Sequence, residues 1–107
     1  MKEGIKFDCE KPRWDLLQYE EVEAVVRVLT NGAKKYADDN WKKVEPYDKR
    51  YFAAAMRHIV AWNKGEILDD EDKEPHLAHA ICCLLFIMYK DKESGKYDRI
   101  RNTNNTR

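Results

Sequence analysis

Charge of one sign is missing from this chain: 20 Lys and Arg stand against 20 Asp and Glu in 107 residues. Formal neutrality excludes a global field that would draw in a nucleic-acid polymer or an anionic membrane, so a charged ligand must be recognised by local arrangement. Long hydrophobic runs are missing too. No apolar stretch reaches the roughly 18 residues that suggest a membrane span, and the opening MKEGIKFDCE lacks the apolar stretch of a secretory signal. The expected setting is therefore cytoplasmic. Glycine is scarce, and Gly32 stands alone where a phosphate loop would need several, which excludes a P-loop or dinucleotide fingerprint. Cys9, Cys82 and Cys83 have the spacing of neither a zinc knuckle nor a redox CxxC pair. They read as reduced thiols, the adjacent pair serving as small core residues. No serine or cysteine nucleophile has a convincing base, because Cys82 and Cys83 fall inside an apolar helix.

What is there reads as one all-α domain, a short bundle of three main helices. In YEEVEAVVRVL, Val22, Val25, Val26 and Leu29 recur at helical spacing, with glutamates early in the segment. Asn31-Gly32 is a plausible stop, after which GAKKY could resume the helix. Asp48 can cap a second helix running to Gly65, with Phe52, Ala55, Met56, Ile59 and Trp62 or Asn63 on its apolar stripe. Pro75 suits the first turn of a third, HLAHAICCLLFIMYK, which is apolar nearly all round beyond His79. Three helices in a chain this small cannot easily enclose it, so a core completed by oligomerisation is expected. Residues 1–92 are read as the helical domain, residues 1–18 being an extended arm packed across the bundle. Residues 93–107 have no apolar period and are expected to be a mobile polar tail.

Two acidic pairs carry candidate chemistry. Glu20 and Glu23 lie three apart on the first helix, and Glu66 and Asp69 repeat that spacing at the exit of the second, followed closely by Glu71. Brought together, they would offer the oxygen ligands that Mg²⁺ or Mn²⁺ requires. The alternative is solvated surface charge, which is what glutamate on an amphipathic helix usually means. His76 and His79 are one helical turn apart and could bind a metal, transfer a proton or hold other ligands in place from behind. His58 lies on the stripe of Trp62 and Glu66, with Arg57 beside it. An arginine on a mainly apolar helix calls for an anion, either a carboxylate or a phosphate. Lys11, Arg13 and Lys35 are candidates for phosphate oxygens, and Tyr36, Asn40 and Trp41 for a base, although each is equally a solvated cation or a core aromatic.

In order and spacing, FDCEKPRWDLL, GAKKYADDNW and MRHIVAWNKGEILDDEDKEPHLAHA resemble a small phage and bacterial family of MazG-like proteins, the dATP/dGTP diphosphohydrolases of the all-α nucleoside triphosphate pyrophosphohydrolase class. The resemblance covers about residues 5 to 90. It implies a Mg²⁺-dependent enzyme, with Mn²⁺ as a substitute, that cuts a (deoxy)nucleoside triphosphate between the α and β phosphates. It implies a homodimer or homotetramer, acting in the host cytoplasm if phage-encoded. Glu20, Glu23, Glu66 and Asp69 would hold the metal, with Glu23, Glu66 or Glu71 in the catalytic step. Lys11, Arg13, Lys35, Tyr36, Asn40, Trp41, Arg57 and His58 would meet the substrate. The sequence departs from the family after Glu71, where a small residue and glycine are expected but Asp72 and Lys73 stand, so the turn there should differ. Two other readings remain: a non-catalytic helical partner-binding protein, and a phosphohydrolase whose His58, His76, His79 and carboxylates hold a transition metal.

Overall fold

The computed structural model describes residues 3–105. Four α-helices account for most of them: α1 (Tyr19–Lys35), α2 (Tyr47–Asn63), α3 (His76–Glu93) and α4 (Lys96–Asn105), with short 3₁₀ turns at Trp14–Leu16 and Asn40–Lys43. No strand is present among the described residues, and no helix is long and apolar enough to cross a membrane. The all-α reading holds, with one helix more than the sequence suggested.

α1 does not stop at Asn31-Gly32. A glycine inside a helix costs about 1 kcal/mol relative to alanine, but here the packing face runs straight through it. Val25, Val28, Leu29, Gly32 and Ala33 recur at helical spacing and are all at least half-buried, so the tertiary face overrides the local signal. Glu20 and Glu21 in the first turn and Lys34 and Lys35 in the last complement the helix dipole. Val26, expected on the buried stripe, faces outward, and Ala24 takes its place in the core.

The α2 stripe is likewise rotated from the expected one. Tyr47, Tyr51, Ala55, His58 and Ile59 turn inward, leaving Phe52, Met56 and Trp62 largely exposed. Asp48 lies within the first turn rather than capping it, and Pro46 is the residue before the helix. Ala55 is 1% exposed. Its small side chain lets α2 approach α3, where Ala80 and Cys83 are also buried. On the other side of α3, Ala24, Val25, Ala78 and Cys82 form the α1–α3 core, with Val28, Leu29 and Phe86 packed around it. Burial pushes the Cys82 thiol up to about 12 and raises that of Cys83. Both are inert small core residues, as expected from the sequence.

The distal end is closed by aromatics and lysines. Trp41 stacks on Phe86 with centroids 4.4 Å apart and meets Tyr89 edge-on. The buried Tyr47 donates its hydroxyl to Asp91 at 2.6 Å, and Lys96 of α4 donates to both groups. α4 occupies the segment read as a polar tail. Its sequence has no apolar period, but Lys96 tethers its first turn to α3 and α2, and the Tyr97 hydroxyl donates to the Met88 carbonyl.

The N-terminal arm does not pack across the bundle in this single chain. Phe7 is 87% and Trp14 71% exposed, and residues 3–21 are all classed as exposed. Arg13 spends its charge locally on Asp15.

The departure from the family motif falls in the turn between α2 and α3, yet the backbone there keeps a conformation suited to the expected glycine. Lys73 sits at φ +63°, in the left-handed region that favours glycine. The conformation costs a residue with a Cβ about 1–2 kcal/mol, against roughly 0.5–1 kcal/mol of backbone entropy that a glycine would lose on folding. Replacing Lys73 with glycine should therefore raise stability by about 0.5–1 kcal/mol, seen as a higher midpoint in urea with an unchanged slope.

Candidate metal and phosphate site between helices α2 and α3

The acidic stretch between the helices is a closed, hydrogen-bonded turn. α2 ends in a Schellman motif: Gly65 adopts φ +98° and donates to the Trp62 carbonyl at 2.9 Å, and the Glu66 N–H donates to the Ala61 carbonyl at 3.0 Å. The chain thereby reverses at Glu66. Leu68 and Pro75 then pair in an antiparallel bridge, and the Asp69 N–H donates to the Glu74 carbonyl at 2.8 Å. Inside this clasp two aspartates fold onto their own backbone: Asp69 Oδ1 accepts from the Glu71 N–H, and Asp72 Oδ1 from the Glu74 N–H. Each keeps its second oxygen for other partners.

Those oxygens meet three histidines. His58 comes from α2 and His76 and His79 from the first turn of α3. His58 Nδ1 lies 2.9 Å from His76 Nδ1, and the His58 and His79 rings stack at 4.5 Å. Asp69 Oδ2 is 3.9 Å from His76 Nδ1, and Glu66 Oε1 is 3.7 Å from His76 Nε2. Asp72 Oδ2 approaches His79 Nε2 to 2.7 Å. That short contact is not a directed hydrogen bond, because the buried Nε2 atoms of both His76 and His79 lack a hydrogen-bond partner. Two sets of donors have their ligating atoms within 4.8 Å of one another: His58, Asp69 and His76, and Asp69, Asp72 and His79.

The electrostatics favour a neutral His58 beside an ionised Asp69. Burial lowers the His58 pKa from its ordinary value, and nearby His79 and His76 lower it further. Asp69 loses some hydration, which works against ionisation. The backbone N–H groups of Glu71 and Asp72, with His79 and His76, outweigh that and leave its pKa depressed.

Not all residues singled out from the sequence come to this place. Glu66, Asp69, His58, His76 and His79 do. Glu71 lies at the rim, its carboxylate 3.5 Å from Lys35 Nζ. Arg57 and Lys64 line a shallow groove that includes Glu66. Glu20 and Glu23 are exposed on α1 and belong to neither converging set. They do share a helical face with Arg27, one and two turns on, whose guanidinium grips both oxygens of Glu74 at 3.0 and 3.1 Å. Lys11 and Arg13 lie on the exposed arm, Tyr36 and Asn40 are exposed beyond α1, and Trp41 is engaged in the aromatic stack. Asp72 was not singled out as a ligand. Its spacing of three from Asp69, matching that of His76 and His79, was the available signal.

The described residues thus form an all-helical domain in which carboxylates and histidines converge beside basic side chains. The family profile described as dATP/dGTP diphosphohydrolase, N-terminal, matches residues 1–100, and the chain belongs to that family. It is similar to a protein of Salmonella phage PMBT28 named dATP/dGTP diphosphohydrolase, with 39% identity over 88 residues. That match covers 80% of this chain but 29% of the phage protein, so the chain spans under a third of its relative's length. No solved structure matches the chain.

The lowered His58 pKa has a consequence for stability. The unfolded chain takes up a proton at His58 near 6.5, the folded chain only at lower pH. Acid therefore favours unfolding as pH falls through about 6.5, and His58 contributes no slope above that. The melting temperature of chelator-treated protein should drop between about pH 7.5 and about pH 5.5, with a shallower drop in His58→Gln.

Proposed function

We propose that this chain is the hydrolytic domain of a nucleoside triphosphate diphosphohydrolase acting on dATP or dGTP, releasing the monophosphate and pyrophosphate. The observation that carries the reading is the convergence of Asp69, Asp72 and the three histidines in a clasped turn, with Glu66 3.7 Å from His76, next to Arg57, Lys64 and Lys35. Family membership supports the substrate class.

The pocket suits a divalent cation. The buried Nε2 atoms of His76 and His79 have no hydrogen-bond partner, a costly arrangement for polar atoms unless something else satisfies them. Glu66 and Asp69 would hold Mg²⁺ or Mn²⁺, with Glu20 and Glu23 of α1 as the second acidic pair. When bound, the ion neutralises phosphate charge and makes a bound water more acidic.

The chain's own groups account for the rest. Arg57 and Lys64 line the groove beside Glu66 and are placed to meet phosphate oxygens, arginine through two parallel donors and lysine as a point charge. Lys35, held at the rim by Glu71, adds a third cation. A water attacks the α-phosphorus, its oxygen forming the new P–O bond while the bond to the β-phosphate bridging oxygen breaks and pyrophosphate leaves. A carboxylate takes the proton, and Glu66, Glu71 and Glu23 are the candidates. No protein nucleophile takes part. Lys11, Tyr36 and Asn40 are exposed and open to substrate; Arg13 would first have to leave Asp15, and Trp41 could meet substrate only by its outer edge.

The proposal includes a homodimer or homotetramer. Leu77, Ile81, Leu84, Leu85 and Met88 form an apolar stripe along α3 that stands open in the single chain, and contiguous exposed apolar surface marks interaction sites. Sedimentation should give a mass at least twice that of the chain, and a monomer at micromolar concentration would remove this part.

One observation favours a second reading. Three histidines at one place suit a transition metal better than Mg²⁺ does, and metal retained through chelator-free purification would support it. A non-catalytic helical protein, by contrast, would show no thermal stabilisation by divalent ions. The direct test is incubation with dATP or dGTP and a divalent cation. Pyrophosphate should appear, orthophosphate alone would reject the reaction, and Glu66→Gln should lower turnover by about 100-fold or more with helix content unchanged.

A further inference from the structure

We propose that the α2–α3 junction holds two adjacent cation positions of mixed nitrogen and oxygen donors, one formed by His58, Asp69 and His76 and the other by Asp69, Asp72 and His79. Asp69 is common to both. The inference deepens the reading above by naming the cation class of the same site, and rests on that reading only for the link between binding and hydrolysis.

Internal hydrogen bonding leaves the donors at both positions incompletely served. His58 and His76 face each other through Nδ1 at 2.9 Å, and Asp69 Oδ2 approaches that same His76 atom at 3.9 Å, whereas His76 Nε2 has no hydrogen-bond partner and lies 3.7 Å from Glu66 Oε1. His76 is 6% exposed, so water does not easily reach that atom either. His79 Nε2 has Asp72 Oδ2 at 2.7 Å but off the line of an N–H, and is itself unpartnered. Separations of 2.7 and 2.9 Å between donor atoms match neighbouring ligands around one ion: at ligand distances of about 2.1 Å and near-right angles they lie on the order of 3 Å apart.

The turn fixes the carboxylates in a way that suits ligation. In both Asp69 and Asp72, Oδ1 is held by a backbone N–H two residues on, while Oδ2 approaches a histidine. Backbone hydrogen bonds of this kind orient a ligating carboxylate and set its direction before the ion arrives. The stacked His58 and His79 rings place the two donor sets face to face. One set offers two imidazoles and a carboxylate, the other one imidazole and two carboxylates. Such donors select Mn²⁺, Fe²⁺, Co²⁺ or Zn²⁺, whereas Mg²⁺ prefers oxygen and gives up its water reluctantly.

The test uses the full chain stripped with chelator and titrated with Mn²⁺, read by calorimetry and by electron paramagnetic resonance. Two Mn²⁺ per chain are expected, with spectra showing two ions coupled through a shared ligand. Asp72→Asn and His79→Gln should each leave one Mn²⁺, His58→Gln should leave the other, and Asp69→Asn should weaken both by at least tenfold. Circular dichroism checks that each variant is folded. His79→Gln serves if Asp72→Asn disturbs the turn. A single Mn²⁺ in the unaltered chain, or no change of stoichiometry in folded Asp72→Asn and His79→Gln, would overturn the proposal. So would full displacement of Mn²⁺ by an equal concentration of Mg²⁺. If the Mn²⁺ count fails while pyrophosphate is still released with Mg²⁺, the functional reading stands without this inference; two bound Mn²⁺ with no nucleotide cleavage gives the reverse.

Discussion

The close approach of α2 to α3 is the contact on which the rest of the molecule turns. It depends on small side chains: Ala55 on one helix and Ala80 and Cys83 on the other, all buried. Helices separated by alanines can lie at the near end of the usual interaxial range. His58 lies one turn beyond Ala55, and His79 lies beside Ala80. A histidine from each helix can therefore reach the other with ring centroids 4.5 Å apart. Bulkier residues at the seam would hold the two helices, and with them the rings, further apart.

Around that seam the chain spends backbone hydrogen bonds where a looser loop would leave them to water. The glycine-ended exit of α2, the Leu68–Pro75 bridge and the two aspartate turns fix a segment that composition alone would assign to solvent. Six of its backbone N–H groups, those of Gly65, Glu66, Asp69, Glu71, Lys73 and Glu74, are donated within the turn or back to α2, so its charged side chains are presented from a rigid frame. α1 joins the frame from outside. The Arg27 fork on Glu74 ties the helix bearing Glu20 and Glu23 to the beginning of α3, and Glu74, being largely buried, loses less of that attraction to solvent than an exposed pair would.

Much of this architecture was legible in the residues, and what was not has identifiable causes. Helical periodicity located α1, α2 and α3, because long amphipathic segments carry their own signal. The phase of α1 and α2 was harder: with valines and alanines on several sides, hydrophobicity does not say which of two neighbouring stripes meets the partner, and Val26, Phe52 and Met56 ended on the outer shoulder. Asn31-Gly32 read as a stop because local propensity argues for one, while the inward face that carries the helix past it is a tertiary fact. α4 has no apolar stripe and is held by Lys96 and Tyr97, contacts that no periodicity reveals. At the site, spacing found the pairs His76/His79 and Glu66/Asp69. The partnership of Asp72 with His79 needed the turn itself, which depends on the backbone conformation at Lys73.

The contrast among the three thiols bears on how the arm can be followed. Cys82 and Cys83 are sealed in the core, with Cys82 pushed up to about 12, whereas Cys9 lies exposed on the N-terminal arm between Phe7 and Trp14. A thiol-reactive fluorophore or spin label would thus enter at Cys9 alone while the protein stays folded. The chain carries its own attachment point for a reporter on the one segment whose resting place differs most from what its aromatic content would suggest.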